Sequence, residues 1–235
     1  MNNIAIIIAG GIGARMGQGI PKQFIEVNGK PIIIYTLEAF QRNPDITAIE
    51  IVCRDAWKDV LLTYVKKFCI DKLENIVSSG DNGQDSIRNG LNDVALRYNA
   101  KNDIVLVHDA VRPMITDDVI KDNIRICRKY GNAVAVVPCT TAVIKTFDYL
   151  TSYEQISREN LRITQTPQAF FVNDFVDAHR EALEKGITNS VSSCTMYIEL
   201  GKRVFMSKGS EKNIKLTTVE DLDLFRALLL IQDSK

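Results

Sequence analysis

Histidine is scarce in this 235-residue chain, which has only two, and its five cysteines (Cys53, Cys69, Cys127, Cys139, Cys194) lie far apart with no C-x-x-C pair. That excludes the common zinc spacings and a disulfide framework, leaving reduced, mostly buried thiols as the expectation. Net charge is also lacking. Lys+Arg and Asp+Glu both number 29, so no global field draws the chain to nucleic acid or to an anionic membrane. Any anion site must be local. No apolar run approaches the ~20 residues needed to span a bilayer. Met1-Asn2-Asn3 has no basic n-region or cleavage site and runs straight into an apolar stretch. The expected compartment is therefore the cytoplasm. Repeats, low-complexity tracts and clear linkers are missing too. Residues 1–235 read as one domain, long enough to bury a sizeable core.

What is present alternates. Ile4 to Ala9 is a short, β-branched, continuously apolar run, the pattern of a strand buried on both faces of a parallel sheet. Similar runs recur at Ala48–Val52, Asn75–Val77, Ile104–Val107 and Ala133–Val137. Helical patterns separate them at Pro31–Gln41, Trp57–Phe68, Ser86–Arg97 and Asp117–Tyr130. The alternation predicts an α/β, Rossmann-like fold with a mostly parallel sheet and helices on both faces. After Pro138 the pattern becomes polar and mixed, with short strands at Val143–Phe147 and Tyr153–Ile156. This reads as a protruding β-arm over about residues 139–162. Helices at Asn173–Lys185, Ser193–Leu200 and Thr218–Leu230, with a strand at Arg203–Ser207, complete the expectation.

The richest segment is Ala9-Gly10-Gly11-Ile12-Gly13-Ala14-Arg15-Met16-Gly17. Glycines let backbone N–H groups approach a phosphate chain closely, and a following helix would add its N-terminal partial charge. A dinucleotide loop needs G-x-G-x-x-G; here the spacing is G-x-G-x-x-x-G, one residue too long. A P-loop needs Lys-Ser/Thr after its last glycine, and none follows. Instead Arg15 and Pro21-Lys22-Gln23-Phe24 bracket the loop with two cations. Fixed cations suit a phosphoryl transition state, where charge builds on the equatorial oxygens. A tight turn with two solvated cations is the plainer alternative.

A second constellation follows the strand at Ile104–Val107: His108-Asp109-Ala110-Val111-Arg112-Pro113. Polar groups at the carboxyl end of a parallel strand stand where open α/β sheets bind ligands. Asp109 can hold Mg²⁺ or orient an acceptor hydroxyl, and Arg112 can pair with an anion. A strand-end ion pair between the two is the alternative. Gln165-Thr166-Pro167-Gln168 and Asn213-Ile214-Lys215-Leu216-Thr217-Thr218 come later. A helix cap accounts for Thr218 but not for Lys215.

Together, in this order, these five segments resemble the cytidylyltransferase family that contains 2-C-methyl-D-erythritol 4-phosphate cytidylyltransferase and ribitol-5-phosphate cytidylyltransferase. The match runs from the first strand to the last helix. The resemblance implies a CTP-dependent enzyme that transfers CMP to a polyol phosphate and releases pyrophosphate, with Mg²⁺ as cofactor and a homodimer as the working form. It implies that Ala9, Gly10, Gly11, Gly13 and Ala14 cradle the CTP phosphates with Arg15, and that Lys22 acts on the α-phosphate. Gly80, Asp81 and Ser86 would recognise cytosine and ribose, with Ala110 close by. Asp109, Arg112, Thr166 and Lys215 would hold the acceptor or stabilise the transition state. Arg158 would reach a neighbouring subunit's site from the arm.

Three positions depart from the family pattern. Gly83 stands where an Arg is usual, Thr141-Ala142 where an Asp-Thr pair is usual, and Val191-Ser192 where a Thr-Asp pair is usual. The first bears on the nucleotide side and the others on the acceptor. A sugar-1-phosphate nucleotidyltransferase using UTP or dTTP would share the glycine loop. The His-Asp-Ala-x-Arg-Pro and Gln-Thr-Pro-Gln segments argue against it. An inactive nucleotide-binding relative is a third reading, opposed by the retained Arg15, Lys22 and Lys215.

Overall fold

A computed structural model describes residues 1–11, 20–98 and 100–233, the side chains of 232 and 233 excepted. In chain order its elements are β1 (Asn3–Ala9), a small hairpin of β2 (Glu26–Val27) and β3 (Lys30–Pro31), α1 (Ile32–Arg42), β4 (Ala48–Cys53), α2 (Lys58–Lys67), β5 (Leu73–Ser78), α3 (Gly83–Arg97) and β6 (Ile104–Asp109). Then come α4 (Asp117–Tyr130), β7 (Asn132–Pro138), β8 (Val143–Lys145), β9 (Glu154–Ile156), β10 (Arg162–Phe171), α5 (Val172–Glu184), α6 (Ser193–Glu199), β11 (Met206–Lys208) and α7 (Val219–Asp233).

Seven strands form one sheet in the order β11-β7-β10-β6-β1-β4-β5. All run parallel except β10, which pairs antiparallel with both β6 and β7. Strand periodicity divides the core. Ala5 and Ile7 of β1 pack with α1, α2 and α4, through Ile33, Leu61 and Ile120 among others. Ile4 and Ile6 face the opposite layer, with Leu91 of α3, Phe175 of α5 and Met196 of α6. A third cluster joins Ile25, Val27 and Ile32 to Leu222 and Phe225 of α7.

The chain sets several boundaries with local chemistry. The Asn82 side chain accepts from Asp85 N and starts α3 three residues before the expected Ser86. Gly131, at φ 98, ends α4 in the left-handed conformation that glycine adopts without strain. Thr218 caps α7 as expected, and the Asp221 carboxylate reciprocates by accepting from the N–H groups of Thr217 and Thr218. β8 and β9 pair as a separate, largely exposed antiparallel sheet between β7 and β10, where the arm was expected. Two expectations are corrected. The strand at Arg203–Ser207 lies at Met206–Lys208. β10, a central strand ten residues long, had no counterpart in the sequence reading.

Candidate functional site

A cavity of about 600 Å³ opens at the carboxyl ends of β1 and β6. This is where strand order reverses, with β4 and β6 on opposite sides of β1. Ile8, Val107 and Asp109 line it, so it lies on the α3/α5/α6 side of the sheet. Gly10, Gly11, Lys22, Gly80, Asp81, Ser86, Asp109, Arg112, Thr166 and Lys215 all border it. Ten of the site residues expected from sequence thus share one space. Gly13, Ala14 and Arg15 lie outside the described residues.

One wall is set by backbone. The Gln23 amide is buried and donates from Nε2 to the carbonyls of Ala9 (2.6 Å) and Gly11 (3.0 Å), tying the chain on either side of Gly10. A Cβ on Gly10 would come within 2.9 Å of Ser79 Cβ. One on Gly80 would meet Asp85 Cβ at 2.4 Å. Ser86 Oγ accepts from Gly80 N (3.0 Å) and donates to the Asn82 carbonyl (2.9 Å), closing the turn before α3. Ala9 and Ala110 do not line the cavity. Ala9 supplies the carbonyl that Gln23 grips. Buried Ala110 donates its N–H to Ile8 O (3.1 Å) and accepts from the Thr36 hydroxyl (2.8 Å). Both act here as backbone braces.

The other wall is ionic. Asp109 Oδ2 accepts from Arg112 Nε at 2.9 Å, and Oδ1 accepts from Lys215 Nζ at 3.1 Å. Burial opposes this charge, but Lys215 and Arg112 outweigh it and hold the carboxyl down to about 2. Arg112 Nη1 also donates to the Asn213 carbonyl (2.8 Å). The Asn213 side chain in turn donates to Thr166 O (2.8 Å) and to Gln165 Oε1 (3.3 Å). Thr166 Oγ1 accepts from Asp109 N (3.1 Å) and lies 3.1 Å from His108 Nδ1. His108 is fully buried against Phe40. Burial drives its pKa down to about 4, against the pull of Asp109, so the ring is neutral.

Sequence reasoning assigned no role to Gln23, Gln165 or Asn213, although all three sit inside the segments it singled out. Their amides tie the segments to one another. Gln84, also unassigned, donates to Ile187 O (2.7 Å) and accepts from Ser190 N (2.8 Å), holding the chain before α6 against α3. Asn82 carried a readable signal, an Asn three residues ahead of an acidic residue at a helix start.

Gly83, Val191 and Ser192 border the same cavity. A Cβ on Gly83 would meet nothing within 4 Å. Ser192 caps α6 in a capping box with Thr195, which accounts for a hydroxyl there. Thr140 and Thr141 are exposed at the root of the arm and do not line the cavity. Arg158 stays out of this chain's cavity as well. It donates to Thr140 O (3.0 Å) and borders a separate hollow of about 300 Å³ on the arm. Among the described residues no group of three or more His, Cys, Asp or Glu could hold a metal. Asp109, the one expected ligand, already carries two cationic partners.

Known proteins match this chain over nearly all its length. The family model of 2-C-methyl-D-erythritol 4-phosphate cytidylyltransferase matches residues 3–230. A ribitol-5-phosphate cytidylyltransferase of Lacticaseibacillus paracasei is 41% identical over 227 residues, covering 96% of this chain and 97% of its own. A 2-C-methyl-D-erythritol 4-phosphate cytidylyltransferase of Clostridium botulinum is 39% identical over 229 residues, with 97% of each chain covered. Among solved structures, the 2-C-methyl-D-erythritol 4-phosphate cytidylyltransferase of Francisella tularensis superposes with a TM-score of 0.80 at 27% identity, covering 96% of this chain and 98% of the other. The 4-diphosphocytidyl-2C-methyl-D-erythritol synthase of Anaerococcus prevotii shares the fold at a TM-score of 0.83 and 24% identity, with 97% and 96% covered. A doubly wound sheet with its cavity at the β1/β6 reversal, and a family match over residues 3–230, lead to one conclusion: the chain belongs to the 2-C-methyl-D-erythritol 4-phosphate cytidylyltransferase family.

Proposed function

We propose that this protein is a CTP-dependent cytidylyltransferase that transfers CMP to a polyol phosphate of the 2-C-methyl-D-erythritol 4-phosphate or ribitol 5-phosphate type. One observation carries the reading. A single cavity joins the glycine-loop edge and Lys22 to the Asp109–Arg112–Lys215 ion cluster. A triphosphate and an anionic acceptor can therefore meet within it.

In the reaction an oxygen of the acceptor phosphate attacks the α-phosphorus of CTP in line. The new P–O bond forms as the bond to the bridging oxygen breaks, and pyrophosphate leaves with that electron pair. The nucleophile is already an anion, so no strong base is required, and positioning with charge stabilisation supplies the catalysis. Lys22 and Arg15 act on the triphosphate, while Arg112 and Lys215 act on the acceptor. Asp109, ionised throughout the neutral range, keeps those two cations in place. Mg²⁺, if CTP brings it, would supply charge neutralisation on the triphosphate, with Asp109 the one residue of this cavity expected to help hold it.

The arm suits a second copy of the chain. Phe147, Tyr149, Leu150 and Tyr153 are each at least 84% exposed on it, a density of solvent-facing apolar side chains that marks an interaction surface. In a cytoplasmic homodimer Arg158 would then approach the other copy's cavity. Incubating the protein with CTP, Mg²⁺ and a panel of polyol phosphates tests the activity through pyrophosphate release. No release with any acceptor overturns it. Replacing CTP by ATP, GTP or UTP tests the base preference.

A further inference from the structure

The cavity has a third side that the mechanism above leaves unused. β10 runs antiparallel to β6, and α5 turns back over it, with Phe175 stacked on Phe170 of β10 at 4.2 Å. One helical turn beyond Phe175, His179 borders the cavity and meets the Phe175 ring at 4.6 Å. Ser193, the first residue of α6, borders the cavity too. His179 is 2% exposed and Ser193 4%. Neither ring nitrogen of His179 has a hydrogen-bond partner among the described residues, and neither has Ser193 Oγ. The other polar side chains here are engaged: Gln84 with Ile187 and Ser190, Ser190 with Glu199, Ser192 with Thr195. Buried polar groups are nearly always satisfied, and leaving one unpaired is costly. The cavity is the space that both side chains border, so a molecule bound in it can satisfy both.

The chemistry of the pair suits alcohols. Burial holds the His179 pKa down to about 4, and the charge of Arg88 opposes protonation as well, so the ring is neutral. It then offers one donor and one acceptor, and the serine hydroxyl both donates and accepts. The pair carries no charge to attract a phosphate. Strand order puts it on the acceptor half. The glycine loop leaves β1, the ion cluster leaves β6, and β10 lies beyond β6. Both helices pack on β10, where Phe170 meets Phe175 of α5 and Tyr197 of α6. An acceptor whose phosphate sits on Arg112 and Lys215 must carry its carbon chain away from the phosphorus it attacks. We infer that His179 and Ser193 form a hydroxyl-recognition subsite for the far end of that chain and set which acceptor length is preferred. This inference rests on the cytidylyltransferase reading.

Chain length tests it. KM and kcat are measured by pyrophosphate release with ribitol 5-phosphate, 2-C-methyl-D-erythritol 4-phosphate and glycerol 3-phosphate, and an acceptor that is not turned over is measured as a competitive inhibitor. His179→Phe and Ser193→Ala should each raise KM for the longest acceptor turned over by about tenfold, the scale of one lost hydrogen bond, with kcat nearly unchanged. The constants for glycerol 3-phosphate, whose chain ends short of the subsite, and for CTP should move by less than about twofold. His179→Gln keeps a donor and an acceptor and should retain the preference for the longer chain. Ser193→Ala decides the matter where a change at the buried ring prevents folding. Equal KM increases for every acceptor, an increase for CTP instead, or no change in any KM overturn the inference alone, the last leaving both side chains to water. Turnover confined to glycerol 3-phosphate overturns it as well. Wild type that releases no pyrophosphate with any polyol phosphate sinks the cytidylyltransferase reading, and this inference with it.

Discussion

Along one wall of the cavity the chain presents backbone and glycine, and along the other it presents ions. Gly10, Gly80 and Ser86 are held at distances that leave no space for a Cβ on either glycine. Asp109, Arg112 and Lys215 meet instead through long side chains at 2.9 and 3.1 Å. The first wall obtains its shape from close packing, which resists gradual change because interiors are dense. The second obtains its field from charges whose geometry can relax by rotamer. A backbone wall suits a ligand that never varies, a triphosphate with its base. An ionic wall suits acceptors that differ while sharing a phosphate. Of the three departures from the family pattern, Gly83 and Val191-Ser192 border the cavity, Gly83 as the first residue of α3 beside the backbone wall.

The sharpest break of the contrast is to remove a cation. Lys22→Ala and Lys215→Ala are each expected to lower kcat by about two orders of magnitude or more, as for a lost charge-stabilising donor. Arg15→Ala should match them. Pyrophosphate release under saturating substrates measures this, and near-normal rates in all three would remove the mechanism. Thermal unfolding at neutral pH should show Lys215→Ala destabilised, because it removes one of the two cations that offset the burial of the Asp109 carboxylate.

Gly80→Ala makes the opposite break. Its Cβ would lie 2.4 Å from Asp85 Cβ and under 3 Å from the backbone of Asp85 and Ser86. Overpacking of that kind costs about 1–3 kcal/mol. The melting temperature should fall and KM for CTP should rise while KM for the acceptor holds. Gly83→Ala, three residues on, meets open space. As the first residue of α3 it should leave stability unchanged or raise it by up to about 1 kcal/mol. Similar melting temperatures for the two variants would mean that the turn at Gly80 yields more than its geometry suggests.

Gln23→Leu sharpens the contrast more gently. It leaves the carbonyls of Ala9 and Gly11 without their donor, and CTP affinity should weaken by about tenfold, the scale of a lost buried hydrogen bond. Titration calorimetry with CTP reads it directly, and unchanged affinity would show that the loop holds its shape unaided. A last effect belongs to Asp109 and appears only in acid. Its folded-state pKa of about 2 lies below the ~3.9 of an unfolded aspartate. Its contribution to stability is therefore complete above about pH 4 and lost as pH falls toward 2. Wild-type stability should drop faster than that of Asp109→Asn across this window. Parallel denaturation curves would deny the carboxylate its paired state.

The two walls also differ in how readable they were. Motifs carry residue types, so Lys22, Asp109, Arg112 and Lys215 could be named from sequence. The parallel strands announced themselves because strands buried on both faces are continuously apolar, and α4 was legible to the residue because its charged and apolar faces alternate cleanly. β10 stayed hidden for physical reasons. It begins with Arg162 and carries Thr164, Gln165, Thr166 and Gln168, and Pro167 interrupts it. A proline normally argues against a central strand. Here the pairing register shifts between Thr164 and Gln168, so the proline falls where the ladder is already broken. The amide braces were illegible for another reason. Gln23 and Asn213 take their meaning from carbonyls that only the tertiary fold brings near them.

That same strand joins two parts of the molecule that otherwise look independent. The arm ends at residue 162, where β10 begins, and Thr166 stands four residues further along. At about 3.4 Å per residue, roughly 14 Å of taut chain links the arm's root to the hydroxyl in the cavity. There is no loop between them to absorb slack. Whatever grips the arm therefore holds one end of a short, stiff tether, and a shift of its anchorage arrives at the cavity wall as a change in the alignment of Thr166.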